Sequence, residues 1–484
     1  MNTPGASIPD LALPGEPVPA ADVLRRAFDR QRHAFEREPY PAWPQRAAWL
    51  KTLRALLLEN DARICAAISA DFGCRPAEET RLLELFPSLG AIRHALKHAR
   101  RWMRSHRQLA GFWFLPARTE LMPQPVGVVG IIVPWNYPLY LAVGPMVDAL
   151  AAGNRVLVKL SEYTPKFSAL FADLMEQYFP DGEVRIVNGD ATVAAAFAAL
   201  PFDHLLFTGS TAVGRKVMRA AAENLTPVTL ELGGKSPAII GPGARFGHAV
   251  ERIIYGKCVN AGQTCIAPDY VLLPRARQQE FIERARAAFA RMYPDFGKDD
   301  QYASAITPQQ HARQLRMLER AVAGGATAHP LGTARDDAAR LLAPTLLTGV
   351  APAAEVMREE IFGPLLPLVP YDNLDEALDY IAARPHPLAL YLFEDDARVA
   401  RRVLQHSLAG GVCINDTLYQ IAQHHLPFGG VGDSGMGAYH GEAGFRTFSK
   451  MKPVFRQSRL AATALLNPPY GARFRRMLKL LLRG

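Results

Sequence analysis

Short, wholly apolar runs that alternate with amphipathic stretches restrict the fold of this chain more than any other feature. Val126–Val133 ends in Pro134, Arg155–Leu160 ends at Ser161, and Glu183–Val187, His204–Phe207 and Val228–Leu232 follow. Helical segments separate them, among them Met146–Ala152, stopped by Gly153, and Thr192–Leu200. Strands spaced by helices in this way pair in parallel, with helices over both faces of the sheet. A second series comprises Pro237–Ile240, Tyr270–Leu273, a helix over Arg275–Met292, then Leu365–Val369, Leu388–Phe393 and Gly411–Ile414. The expected architecture is α/β with two parallel-sheet domains, divided at Gly233-Gly234. Ahead of the first strand, Leu50, Leu53, Leu56, Leu57, Ile64, Ile68 and Phe72 recur at helical spacing. They belong to a helical region from Ala21 to about Ala110 that breaks near Pro41 and Pro44. Residues 1–20 read as a disordered tail, and no internal repeat is visible.

A chain of 484 residues has room for two domains or more. Its 49% hydrophobic and 21% charged residues are those of a soluble globular enzyme. The formal charge of +9, from 55 basic and 46 acidic side chains, suits an anionic cofactor or a membrane surface but selects neither. The sequence lacks a basic patch interleaved with aromatics, so nucleic acid is rejected as a partner. The cysteines are Cys65, Cys74, Cys258, Cys265 and Cys413. Their odd number and wide spacing fit neither a disulfide framework nor a zinc site, which implies a reducing compartment; no metal site is expected. The first eighteen residues carry no Lys or Arg, unlike a secretory signal. No stretch stays apolar for the roughly 18 residues a membrane span needs, and the expected location is cytoplasmic. Near the end, Phe474, Met477, Leu478, Leu481 and Leu482 share a helical face, with Arg473, Arg475, Arg476, Lys479 and Arg483 around it. Such a basic amphipathic helix suits peripheral contact with a membrane or docking on another protein face, that of its own dimer included.

Chemistry concentrates in a few places. Asn260-Ala261-Gly262-Gln263-Thr264-Cys265 sets one thiol in a polar, Gly-containing bend where backbone can approach a substrate. A lone cysteine is more often a small buried hydrophobe, and Cys258, without that setting, reads as core. As a nucleophile, Cys265 needs its pKa lowered by N–H dipoles or charges, and its own N–H is placed to hold an oxyanion. Glu231 ends an apolar strand and meets Gly233-Gly234, which give a general base room to swing; the bland alternative is a solvated strand end. Asn136, in Pro134-Trp135-Asn136-Tyr137-Pro138, follows a buried strand, where crevices form; its amide is a second oxyanion donor or simply a turn former. Lys159 and Glu162 at a strand end are suited to ribose hydroxyls, and a carboxylate there repels a 2′-phosphate. Gly209-Ser210 through Gly214 opens a helix, a phosphate site or mere capping. Glu360 before Gly363-Pro364 is a second ribose ligand or a solvated loop acid.

These segments, with Pro427-Phe428-Gly429-Gly430, occur in the order found in the aldehyde dehydrogenase superfamily, which the chain resembles from about residue 40 to 455. Asn260–Tyr270 and Gly432–Gly441 look most like the class 3 branch. Asp71-Phe72-Gly73, Asn415-Asp416 and Asn467-Pro468-Pro469-Tyr470-Gly471 resemble its coniferyl aldehyde dehydrogenases. The resemblance implies two Rossmann-like domains and an oligomerisation arm in a homodimer. Residues 21–232 would be the cofactor domain, with part of the arm near 112–125, and 233–428 the catalytic domain. Residues 429–484 would return to the cofactor domain and supply the oligomerisation strand and the C-terminal helix. It implies Cys265 as nucleophile, Asn136 and the Cys265 N–H as oxyanion hole, and Glu231 as the deacylation base. It assigns Trp135, Lys159, Ser161, Glu162, Gly209, Ser210, Gly214, Leu232, Glu360 and Phe362 to NAD, and Tyr137, Phe428 and Tyr419 to the aldehyde pocket. Leu160 departs from the Pro that many members carry after the ribose lysine, which keeps NADP open. The implied activity is oxidation of an aromatic or medium-to-long-chain aldehyde to the acid through a cysteine thioester. The alternatives are a CoA-acylating enzyme, which has no need of Glu231, and a non-catalytic protein that keeps the fold.

Overall fold

The computed structural model describes residues 20–333, 335–460 and 467–482. The expected N-terminal tail and Arg483 lie outside them, apart from Ala20, which opens the first helix. Helices Ala20–Arg37, Trp43–Glu59, Asp61–Phe72 and Phe86–Trp102 come first, and Pro44 occupies the first turn of the second, where its missing N–H costs nothing. Leu50, Leu53, Leu56, Leu57, Ile64, Ile68 and Phe72 are all fully buried on one face.

Five parallel strands and one short antiparallel strand form the first large sheet. Its order is Gly435–Met436, Val228–Leu232, His204–Gly209, Val128–Ile132, Arg155–Lys159, Val184–Val187. The apolar run Val126–Val133 yields a strand only from Val128, because Gly127 turns the backbone to φ +143° and a Cβ there would meet the Asp203 carboxylate at 2.0 Å. That carboxylate accepts the Val128 N–H and pairs with Arg32. Helix Tyr140–Ala152, buried along its whole length, packs beneath and ends at the left-handed Gly153.

The second sheet has seven strands, ordered Thr327–Pro330, Thr345–Thr348, Leu365–Tyr371, Tyr270–Pro274, Pro237–Ile240, Ala389–Phe393, Gly411–Ile414. All pairings are parallel except the first. The first two of these strands had no counterpart in the periodicity. A third, antiparallel sheet joins His106–Gln108, Arg118–Pro125 and Ser449–Arg456, so segments more than 300 residues apart pair along eight positions. Helix Ala472–Leu481 forms as expected and buries none of its residues. No helix is long and apolar enough to cross a membrane.

Candidate active site

In the first sheet Val128–Ile132 is central: the next two strands in sequence lie on one side of it and the following two on the other. The loops after Ile132 and Gly209 therefore diverge, and such a topological switch opens a crevice at the strand C-termini. A cleft of about 500 Å³ lies there, lined among others by Trp135, Asn136, Gly209, Ser210, Glu231, Cys265, Glu360 and Phe362. Residues from both large sheets meet in it.

Cys265 is half-buried, on a loop whose backbone is wound left-handed over three residues, Asn260 (φ +50°), Ala261 (φ +51°) and Gly262 (φ +74°). At the third, a Cβ would sit 2.3 Å from the Gly363 carbonyl, so glycine is required. Two side chains hold the loop. Asn260 Nδ2 donates to the carbonyls of Asn136 and Gln263, both at 3.1 Å. Gln263 Nε2 donates to the Asn260 and Ser304 carbonyls, and its Oε1 accepts the Ile306 N–H. The lowered thiol pKa that the sequence led us to expect is not found: burial first, then Glu360 and Glu231, push the thiol up to about 12, against the opposing effect of the Cys265 and Ile266 N–H groups.

Asn136 is buried, and its Nδ2 donates to the Gln263 carbonyl at 3.2 Å, leaving a second amide hydrogen for another acceptor. Its own carbonyl accepts from Arg75 Nη1 at 3.0 Å. Arg75 and Glu84 form an ion pair at 2.9 Å with both side chains fully buried. Glu84 also accepts the N–H groups of Leu139 and Tyr140, and the Arg75 guanidinium lies over Tyr137. Sequence reasoning missed this support, because Arg75 and Glu84 look like polar residues of an exposed helical face.

Glu231 ends its strand with both carboxylate oxygens buried and without a hydrogen-bond partner, and burial holds its pKa well above the usual carboxylate range. Its strand is fixed from outside by pairing with Gly435 and by the Leu232 N–H to the Ser434 carbonyl. A Cβ on Gly233 would lie 2.0 Å from Glu360 Oε2, so glycine admits the second carboxylate. Glu360 is pushed up to about 8, by burial and then by Asp269, and its Oε1 also lacks a partner. Phe362 stands edge-on to Trp135 with ring centroids 5.3 Å apart. Asp269 pairs with Lys235 and accepts the Ile361 N–H, which ties the Glu360 segment to the Cys265 segment.

Of the remaining cofactor candidates, Gly209 and Ser210 line this cleft, whereas Lys159, Ser161, Glu162, Gly214 and Leu232 do not. Ser210 caps helix Thr211–Ala222, accepting the Val213 N–H at 3.4 Å. A Cβ on Gly214 would meet Leu232 Cδ2 at 2.5 Å, so this glycine lets helix and strand approach. Lys159, opposite Ile132 in register, donates to the Leu160 carbonyl and stands 3.8 Å from Glu162; Ser161 Oγ accepts the Tyr163 N–H. A helix N-terminus, the Glu360 carboxylate with one oxygen unpaired and glycines whose Cβ would close the gaps together fit a dinucleotide. The expected pocket aromatics do not line the 500 Å³ cleft. Tyr137 is buried behind it, with its hydroxyl 2.6 Å from Thr264 Oγ1. Phe428 stacks on His440. Tyr419 is 47% exposed, under the guanidinium of Arg252, because the loop that carries it turns outward.

The family described as the aldehyde dehydrogenase family matches residues 18–454. A probable coniferyl aldehyde dehydrogenase of Pseudomonas aeruginosa is 49% identical, over 96% of this chain and 97% of that one. Aldehyde dehydrogenase family 3 member A2 of Macaca fascicularis is 39% identical, over 92% and 91% respectively. Among solved structures, Mycobacterium tuberculosis aldehyde dehydrogenase complexed with NAD+ superposes with a TM-score of 0.83 at 28% identity, covering 93% of this chain and 92% of that one.

Proposed function

This chain belongs to the aldehyde dehydrogenase family and oxidises an aldehyde to its carboxylic acid with NAD(P) as acceptor, and we propose that Cys265, Asn136 and Glu231 carry that reaction. One observation supports the reading above others: a half-buried thiol and a carboxylate free of hydrogen bonds line the same cleft. The Cys265 sulfur, as thiolate, bonds to the carbonyl carbon. The resulting oxyanion meets Asn136 Nδ2–H and the Cys265 N–H. NAD(P), when bound, supplies the acceptor for the hydride this carbon gives up. Glu231 then takes a proton from water, the water oxygen adds to the thioester carbon, and the C–S bond breaks to return the thiol. Glu360 and the Lys159–Glu162 pair would hold the riboses and the Ser210 helix start the pyrophosphate, with Trp135, Ser161, Gly209, Gly214, Leu232 and Phe362 completing the contacts. The Glu162 carboxylate supports a preference for NAD over NADP. Glu231→Gln should keep a burst of NADH while steady-state turnover falls by roughly 10²–10³-fold. Undiminished steady-state turnover would remove Glu231 from its role, and acyl-CoA formed on adding CoA would replace water as the acceptor.

The substrate is read as an aromatic, coniferyl-like or medium-to-long-chain aldehyde. The 49% identical relative is named for coniferyl aldehyde, and the aromatic rings of Tyr137, Phe428 and Tyr419 are read as the apolar walls of the aldehyde pocket. A panel of cinnamyl, benzyl and straight-chain aldehydes ranked by kcat/KM tests this, and a preference for short polar aldehydes would defeat it. Residues 21–232 read as the cofactor domain, 233–428 as the catalytic domain and 429–484 as the returning segment, in a cytoplasmic homodimer. Ser449–Arg456 leaves an edge of the three-stranded sheet open, where exposed Phe455 meets exposed Phe114. Phe455→Glu should shift sedimentation to the monomer. The exposed basic helix Ala472–Leu481 is read as a peripheral membrane contact; unchanged binding to anionic liposomes after truncation at Gly471 would exclude it.

A further inference from the structure

We propose that His94, His98 and His425 form a binding site for a borderline divalent metal ion of the Zn²⁺, Cu²⁺, Ni²⁺ or Co²⁺ class, on the helix side of the loop that leads to Phe428. His94 and His98 stand four residues apart on one face of helix Phe86–Trp102. His425 reaches them from the loop after the short helical turn Tyr419–Ala422. One ring nitrogen from each of the three lies within 4.8 Å of the others. The His94 ring centroid is 4.6 Å from that of His98 and 4.3 Å from that of His425. Tetrahedral ligation at ~2.0–2.1 Å needs donor spacings of about 3.4 Å, so the rings must draw in by about 1.4 Å at most. Small χ rotations supply that, since His98 and His425 both border an open cleft of about 350 Å³ that leaves room for a ligated water.

The chemistry of the cluster selects the ion. Its donors are imidazoles, which suit Zn²⁺, Cu²⁺, Ni²⁺ and Co²⁺; the carboxylates that hold Mg²⁺ or Ca²⁺ are missing from it. No hydrogen bond to another described residue engages the three rings, so their lone pairs are uncommitted. Among the described residues this is the one place where three side chains of ligand type converge so closely. The expectation of no metal rested on the cysteine spacing; these histidines escaped it because His98 and His425 are 327 residues apart and no short motif announces them.

Ligation would fasten the loop to the helix close to the cleft. From His425 the chain runs in three residues to Phe428, whose ring stacks on His440 at 5.4 Å, and His440 in turn meets the Tyr140 hydroxyl at 3.0 Å. The test uses the full, tag-free chain carrying Cys265→Ser, so that the reactive thiol cannot capture metal. Equilibrium dialysis against Zn²⁺ should return one equivalent per chain, and Co²⁺ should develop the intense visible absorption of a tetrahedral site. His98→Ala and His425→Ala alter surface-accessible rings and should leave the circular dichroism spectrum intact. Each should weaken Zn²⁺ binding at least about tenfold, as loss of a supporting ligand does elsewhere, and a large excess of Mg²⁺ should not compete. One equivalent of Zn²⁺ retained with unchanged affinity in the double variant would overturn the proposal, as would failure to bind Zn²⁺ at millimolar concentration or displacement by Mg²⁺.

Discussion

The loop of Cys265 and the strand end of Glu231 border one cleft but are held in opposite ways. Asn260 and Gln263 pin the loop through hydrogen bonds to Asn136, Ser304 and Ile306. Glu231 has a fixed backbone and a side chain with no bond on either oxygen. A buried acceptor left unpaired costs about 1–3 kcal/mol, so the arrangement is not one that stability alone would retain. The difference fits the two tasks. Attack on a carbonyl depends on the direction of approach, which a rigid loop sets in advance. Activation of water follows later, at the same carbon, and needs a carboxylate that can move and whose pKa is high enough to hold the proton it takes.

The comparison breaks first at the sulfur. Cys265→Ala should lower turnover by about 10⁴-fold or more, since no other group in the cleft replaces the nucleophile; residual activity within tenfold of the parent would disprove its role. The next test concerns how the thiol is held. With the thiol at about 12, the thiolate fraction, and with it alkylation of the Cys265 peptide by iodoacetamide, should rise roughly a hundredfold from pH 7 to pH 9 in the cofactor-free protein. A plateau below pH 9 would show that burial and the flanking acids do not suppress ionisation. The mildest perturbation is Gln263→Ala, which loosens the loop without touching the sulfur. It should lower kcat by about tenfold while KM stays within about twofold, because positioning and not binding is lost. The deacylation base should be indifferent to that change, so attack becomes the slow step and the NADH burst should shrink as kcat falls.

Strands carried by continuous apolar runs were legible in the sequence, among them Arg155–Lys159, Val228–Leu232 and Gly411–Ile414. So was the vicinity of Cys265, Asn136 and Glu231, because a polar residue at the end of such a run stands out. Thr345–Thr348 escaped, since its apolar core is only Leu346-Leu347 and its strand character comes from the neighbour Leu365–Tyr371. The Arg75–Glu84 pair could not be read, because its burial depends on helix Tyr140–Ala152, more than fifty residues away, whose first N–H groups Glu84 accepts. The thiol's raised pKa was equally hidden. A motif shows the N–H groups beside Cys265, but not the burial of the thiol or the carboxylates of Glu360 and Glu231 that folding gathers around it. Tyr419 shows the same limit from the other side, because aromatic identity gives no information on which way a loop faces.

The two residues Gly435–Met436 complete the edge of the sheet on which Glu231 sits, two hundred positions earlier. During synthesis, that edge stays unpaired until the segment about two hundred residues downstream has left the ribosome. A fragment released before Gly435 would then carry the thiol without a seated partner for the second half-reaction, which would restrict complete turnover to chains that extend past Met436.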